Sequence, residues 1–180
     1  MNDESLRGLF SDVFSFSKNQ YFYINEEKLE EFRQVLHIDD PTELNELIDP
    51  SNSMSFFKNI FSEYLWSSHA FSAYMGFQTP EEIIGQTDLS LPWSFEMAMA
   101  SQESDEVILL SGIPSFKKEI WSVLSGGSAQ EQDRIFNIRR YPVFNRKGEI
   151  LGVLGVLKED LIAGQFLNSS KNIQPFYELV

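Results

Sequence analysis

The sequence predicts an α+β fold: a five-stranded antiparallel sheet flanked by short helices, with an N-terminal helical segment packing on the sheet. Three observations predict it. Apolar residues recur at helical spacing through the first 50 residues and then give way to short aromatic and β-branched runs. Glycine, proline and capping residues divide those later runs into strands and brief helices. The last run is apolar on both parities, so neither face of the sheet is wet there and one face requires a cover. Three units follow: an N-terminal helical segment over 1–50, a sheet domain over 54–162 and a connector over 163–180.

In the first unit, Leu6, Leu9, Phe10, Val13 and Phe14 share one helical face, as do Leu29, Phe32 and Leu36 behind Asn25 as cap. Asp40-Pro41 opens a short third helix that Pro50 closes. Beyond it, Ser55–Lys58 and Glu63–Trp66 read as a first hairpin. Ser68 caps a helix carrying Phe71, Tyr74 and Met75, which Gly76 ends. Thr79-Pro80-Glu81-Glu82 starts another, with Glu82 reaching back toward Thr79 and Gly85 terminating it. Residues 94–111 lack proline and glycine and run as the longest helix of this unit to Gly112, with Met97, Ala100, Val107, Ile108 and Leu110 as its apolar positions. Three strands complete the sheet, Phe116–Leu124, Arg134–Phe144 and Ile150–Lys158, joined by turns at Ser125–Ser128 and Asn145–Gly148. In the last, Ile150, Leu154 and Val156 fall on one parity and Leu151, Val153 and Leu157 on the other. The N-terminal helices or a partner subunit are the available covers.

Composition excludes several function classes. The chain has 27 acidic and 14 basic residues among 180, a formal charge of −13, and residues 1–50 alone hold 12 acids and 4 bases. That field repels phosphate backbones and anionic membranes, so neither nucleic-acid contact by this segment nor membrane association is expected. Without cysteine there is no disulfide, thiol nucleophile or cysteine zinc site, and His37 and His69 alone are poor material for a metal cluster. The longest apolar run, Ile150–Leu157, is far shorter than the roughly 18 residues of a membrane span. A cytoplasmic location is expected.

Local sequence words add a family resemblance over residues 54–162. Phe57-Lys58-Asn59 with Tyr64-Leu65-Trp66, Ala70-Phe71 with Tyr74-Met75-Gly76-Phe77, and Thr79–Asp88 closing at Gly85 occur in the order in which a PAS sensor domain carries its similar words. Leu91-Pro92-Trp93, Asp105–Pro114 and Tyr141–Phe144 with Lys147–Gly152 continue the series, and Lys158–Leu161 stands at the family's terminal Asp-Ile-Thr. The sequence resembles PAS domains of bacterial sensor kinases and transcriptional regulators. Ser68 replaces a common asparagine, and Ile162 stands at the threonine place, so only Asp160 remains of the terminal polar pair.

The resemblance implies a sensory, signal-transducing domain that binds a small molecule, mediates dimerisation, or both, and regulates an attached histidine kinase or helix-turn-helix module. A homodimer is the expected assembly. Asp160 is the implied point of signal transmission to the connector. The cofactor is unknown, although the missing cysteine excludes cysteinyl-flavin photochemistry and the absence of histidine from residues 94–114 argues against haem. Phe57, Tyr64, Trp66, Phe71, Tyr74, Trp93, Ile108, Phe136, Ile138 and Arg140 are the pocket candidates, with ordinary core filling as the other reading for the nine apolar and aromatic ones. Arg139 and Arg140 fall on opposite parities, so one can point inward and anchor a carboxylate or phosphate. Alternatively both lie in water or pair with Asp88 or Glu119. A ligand-free dimerisation scaffold competes with the sensor reading. An enzyme built on such a sheet is a third alternative, with Glu119 as the obvious inward acid. No catalytic residues or metal ligands are expected.

Overall fold

The computed structural model describes residues 2–14, 26–48, 53–123 and 132–171. Asn25, Pro50 and the Ser125–Ser128 turn lie outside them. Helix α1 (Asp3–Phe14) buries Leu6, Leu9, Phe10, Val13 and Phe14, the set its periodicity selects. Helix α2 (Glu26–Leu36) ends where His37 turns left-handed at φ 54°, which lets the Ile38 amide reach back to the Arg33 carbonyl at 3.1 Å. The His37 ring then stacks on Phe144 at 3.9 Å. Helix α3 (Pro41–Ile48) starts behind Asp40, whose Oδ1 accepts from the Thr42 amide at 2.8 Å.

Strands β1 (Ser53–Asn59), β2 (Tyr64–Ser67), β3 (Ser115–Val123), β4 (Gln132–Phe144) and β5 (Ile150–Glu159) form one sheet of order β2-β1-β5-β4-β3 with antiparallel pairing throughout. Between β2 and β3 the chain makes α4 (His69–Tyr74), 3-10 turns at Pro80–Ile83 and Asp88–Ser90, and α5 (Phe95–Ser111). Their predicted punctuation is present. Ser68 Oγ accepts from the Phe71 amide at 3.2 Å, Glu82 Oε1 accepts from the Thr79 amide at 3.2 Å, and Gly112 closes α5 at φ 66°. His69 is the exposed first residue of α4. After β5 the chain enters α6 (Leu161–Lys171), a helix that runs across the expected boundary at 162/163.

Two cores lie on opposite faces of the sheet. On the outer face, α1–α3 cover Phe57, Leu65, Trp66, Tyr141, Val143, Leu154 and Val156. Phe10 approaches Phe57 at 5.1 Å and Trp66 at 5.6 Å, and Trp66 Nε1 donates to Ser11 Oγ at 2.9 Å. The N-terminal helices are therefore the cover that β5 requires. On the inner face, Phe56, Tyr64, Phe71, Trp93, Trp121, Phe136, Ile138 and Leu157 pack beneath the helices between β2 and β3. Helix α5 differs from expectation in its face. It buries Ala98, Ser101, Asp105 and Ile108, whereas Val107 and Leu110 are 56% and 81% exposed. Polar Ser101 and Asp105 turn inward because charged partners await them. No helix among the described residues is long and apolar enough to cross a membrane.

Candidate functional site

The inner face carries charge as well as rings. Lys58 alternates with Phe56 along β1 and so points inward, although it follows two phenylalanines in sequence. Its ammonium lies 2.7 Å from Asp88 Oδ2, 3.2 Å from Ser101 Oγ and 2.5 Å from Asp105 Oδ2, the last an ion pair without hydrogen-bond alignment. The rings of Phe56 and Tyr64 stand 5.0 Å from the same nitrogen. Tyr64 Oη donates to Asp88 Oδ1 at 2.7 Å, and Trp93 Nε1 donates to the Asp88 carbonyl at 2.5 Å.

Arg140, wholly buried on β4, extends the network. Its Nε donates to Asp105 Oδ1 at 3.1 Å, and Nη1 donates to Glu119 Oε1 at 2.7 Å. Glu119 Oε2 in turn accepts from Trp121 Nε1 at 2.9 Å. Lys58, Asp88, Asp105 and Arg140 are each at most 1% exposed, so the chain has placed two cations and two carboxylates in its interior, with Glu119 at the rim. Such a network is costly to desolvate, and it persists only because its members satisfy one another.

Titration follows from these contacts. Burial pushes the Asp105 carboxyl up, and Lys58 and Arg140 offset this only in part. Burial also acts to raise Glu119, but the hydrogen bonds and charge of Arg140 outweigh it and hold the carboxyl below its usual range. Arg140 itself is held above its ordinary value because Glu119 and Asp105 overcome the effect of its burial. Burial and then the Asp88 charge drive the Tyr64 phenol well up. Glu119 is therefore an inward acid, as the enzyme alternative requires, yet one clamped as a carboxylate by Arg140 and Trp121.

Eight of the ten pocket candidates lie on the inner side. Tyr64, Phe71, Trp93, Phe136 and Ile138 belong to its core, Ile108 to the buried face of α5, and Arg140 to the network. Half-buried Tyr74 sets its ring edge on Phe136 at 5.4 Å, and burial raises its phenol to about 12. Phe57 and Trp66 are the exceptions. They lie on the outer face under α1, away from the expected pocket. For Phe57 the cause is simple alternation after Phe56. For Trp66 it is a bulge: Lys58 pairs with Tyr64 but Phe57 pairs with Trp66, so the extra residue Leu65 breaks the parity that would set Trp66 beside Tyr64. Of the two arginines, Arg140 is the inward one, and the chain's own Asp105 and Glu119 occupy it. Asp88, the other suggested partner, serves Lys58 and Tyr64 instead. Sequence pattern does not single out Lys58 and Asp105 as network members; a lysine sharing parity with Phe56 and Met54 is the available signal.

Asp160 joins three elements. Its amide donates to the Ile135 carbonyl at 2.8 Å, its Oδ2 accepts from Lys118 Nζ at 2.7 Å, and its Oδ1 accepts from the Ala163 amide at 2.9 Å in the first turn of α6. The Lys118 hydrogen bond and the Ala163 amide hold its carboxyl below the usual range.

No family model matches the sequence, and no curated protein matches it. Solved structures do. The chain is similar to VqmA bound to DPO at 18% identity and a TM-score of 0.54, covering 66% of this chain and 57% of that one. It is also similar to VqmA from Vibrio cholera in a ligand and DNA complex, at 16% identity and a TM-score of 0.55, covering 78% and 63% respectively. A phage VqmA–DPO complex aligns at 14% identity and a TM-score of 0.51, covering 83% and 62%. The chain thus spans 57–63% of the length of these VqmA chains, and likeness at such identity is likeness of fold. With sheet order β2-β1-β5-β4-β3, its helices between β2 and β3, and three closing antiparallel strands, this chain has the fold of a PAS domain.

Proposed function

We propose that the chain is the sensory part of a signalling protein, a PAS-fold domain that takes a small molecule between its sheet and its inner helices. The observation that carries this reading is the junction at Asp160, where the last strand passes into α6 through a residue bonded to β3, β4 and the helix at once. A shift of the sheet on binding moves that junction and with it the attached output, a histidine kinase or helix-turn-helix module. Tyr64, Phe71, Tyr74, Trp93, Ile108, Phe136, Ile138 and Arg140 are the side chains proposed to line the site. Because Arg140 is already neutralised from within, a neutral and mainly apolar ligand suits this interior better than an anion. VqmA, solved with DPO and with DNA, supports a ligand-responsive regulator as the type of output, and the VqmA dimer supports a homodimer.

A second reading is a ligand-free scaffold that pairs two subunits. It is favoured by the mutual packing of the inner rings, with Phe56–Phe71 centroids at 5.1 Å and Trp93–Trp121 at 5.2 Å. Native mass spectrometry of freshly purified protein, with an absorbance scan, separates the two. The sensor reading expects a reproducible bound mass; a dimer of bare polypeptide mass, unchanged in melting temperature across a metabolite panel, overturns it in favour of the scaffold.

A further inference from the structure

The two edges of the sheet differ. Edge strand β2 is bonded to the chain beside it: the Tyr64 amide donates to the Gln86 carbonyl and the Gly85 amide to the Tyr64 carbonyl, each at 2.8 Å. Along the opposite edge, among the described residues, β3 is met away from β4 only at Val123, by a bridge to Trp93. Every second residue of Ser115–Ser122 therefore turns its backbone N–H and C=O away from β4, with no described strand to receive them. Pro114, which has no N–H, stands before this stretch and the Trp93 bridge closes it, so Lys118 and Glu119 are at its middle.

The side chains of the stretch complement themselves. Phe116, Lys118 and Ile120 lie on the outer face, and Lys117, Glu119 and Trp121 on the inner one. Two antiparallel copies set same-face side chains opposite each other when the twofold axis passes through a residue. Centred on Glu119, two carboxylates face each other and Lys118 opposes the partner's Ile120. Centred on Lys118, Lys117 opposes the partner's Glu119 and Phe116 the partner's Ile120, each pair twice. Phe116 and Ile120 are 58% and 51% exposed, so pairing gives both a cover. Edge lysines commonly forbid such contacts, but this register answers both of them. Lys118, which meets its own copy at the axis, is already neutralised by Asp160 at 2.7 Å. Lys117 meets Glu119, the rim acid of a network in which three carboxylates, Asp88, Asp105 and Glu119, face two cations, Lys58 and Arg140. We propose that β3 is a docking edge for a second copy of this chain, which adds its own β3 antiparallel and centred on Lys118 to make one continuous sheet. This rests on the homodimer proposed above and names its interface. Because Lys118 holds Asp160, the two junctions into α6 then flank the axis.

Cross-linking tests the register. The chain has no cysteine, so Lys118→Cys carries one thiol per copy. Directly opposite residues of an antiparallel pair have Cα atoms about 4.5–5.5 Å apart, within reach of a disulfide. Oxidised by dioxygen with copper phenanthroline, Lys118→Cys should run as a dimer on non-reducing gels. Lys147→Cys, on the exposed β4–β5 turn, should stay monomeric at the same concentration. In sedimentation velocity, Lys117→Glu and Ile120→Lys should each weaken the dimer about tenfold, since each removes two cross-strand pairs at once. Leu110→Lys, on the exposed face of α5, should leave it unchanged. Without any substitution, alternate amides within 115–121 should exchange more slowly as protein concentration rises. A dimer that survives both edge substitutions, or equal cross-linking of Lys118→Cys and Lys147→Cys, overturns this interface while leaving the homodimer. Protein that is monomeric at every concentration overturns both, and the bound mass decides the sensor reading separately.

Discussion

Lys58 is held by Asp88 and Asp105 at 2.7 and 2.5 Å while 1% exposed. Removing it leaves two carboxylates in the interior with only Arg140 to answer them. Lys58→Met should cost about 3–5 kcal/mol of stability in urea unfolding, the usual penalty for breaking a buried pair from one side. The two acids around Arg140 should respond to pH with opposite signs. Glu119 has a depressed folded value, so its contribution is present above the unfolded value and is lost as pH falls through the folded one. Glu119→Gln should therefore lose about 1–3 kcal/mol at pH 7, with the gap to wild type narrowing in acid. Asp105 is raised, so its ionisation opposes folding as pH rises, and its favourable share is fully present only below the unfolded value. Against Asp105→Asn, wild type should thus improve as pH falls. Urea melts of both variants from pH 7 to pH 3 check the pair of signs, and parallel trends would contradict them.

At the scale of elements, β1 and β5 lie unusually close. A Cβ on Gly152 would meet the Lys58 carbonyl oxygen at 2.0 Å, and one on Gly155 would meet the Phe56 ring at 2.2 Å. A ring can rotate away but a backbone carbonyl cannot. Gly152→Ala should accordingly destabilise more than Gly155→Ala, by about 3 kcal/mol or more, since it must part the strands; thermal melts rank the two. Asp160→Ala should leave the melting of the sheet nearly unchanged but speed amide exchange through the first turn of α6, because it removes that helix's cap and the tie to Lys118. Elements are the most legible level in the sequence. Their starts and stops rest on local chemistry at Ser68, Thr79, Gly112 and Asp40, which a linear reading contains. The bulge at Leu65 has no local marker, and so strand parity alone misplaces Trp66. The charge network is hidden for another reason: Lys58, Asp88, Asp105 and Arg140 are far apart in sequence and meet only when α5 docks on the sheet.

For the whole molecule, the outer core binds the N-terminal helices to the sheet through Phe10, Phe14 and Phe32 against Phe57 and Trp66. Deleting residues 1–50 should expose those rings with Leu154 and Val156, and the truncated protein should aggregate on size-exclusion chromatography. A soluble monomer with an unchanged melting temperature would refute this. The need for a cover is readable from the doubly apolar last strand; which helices supply it requires the packing of α1. The place of β5 also sets the order of events during synthesis. It is the last strand to leave the ribosome and the central one of the sheet, paired with β1 about a hundred residues earlier. Until it emerges, the β1–β2 hairpin and the β3–β4 hairpin are two separate pieces with raw inner edges, each a partner for neighbouring nascent chains. Any delay between the emergence of β4 and that of β5 would prolong that exposure, so the yield of folded protein should depend on how soon residues 150–159 leave the ribosome.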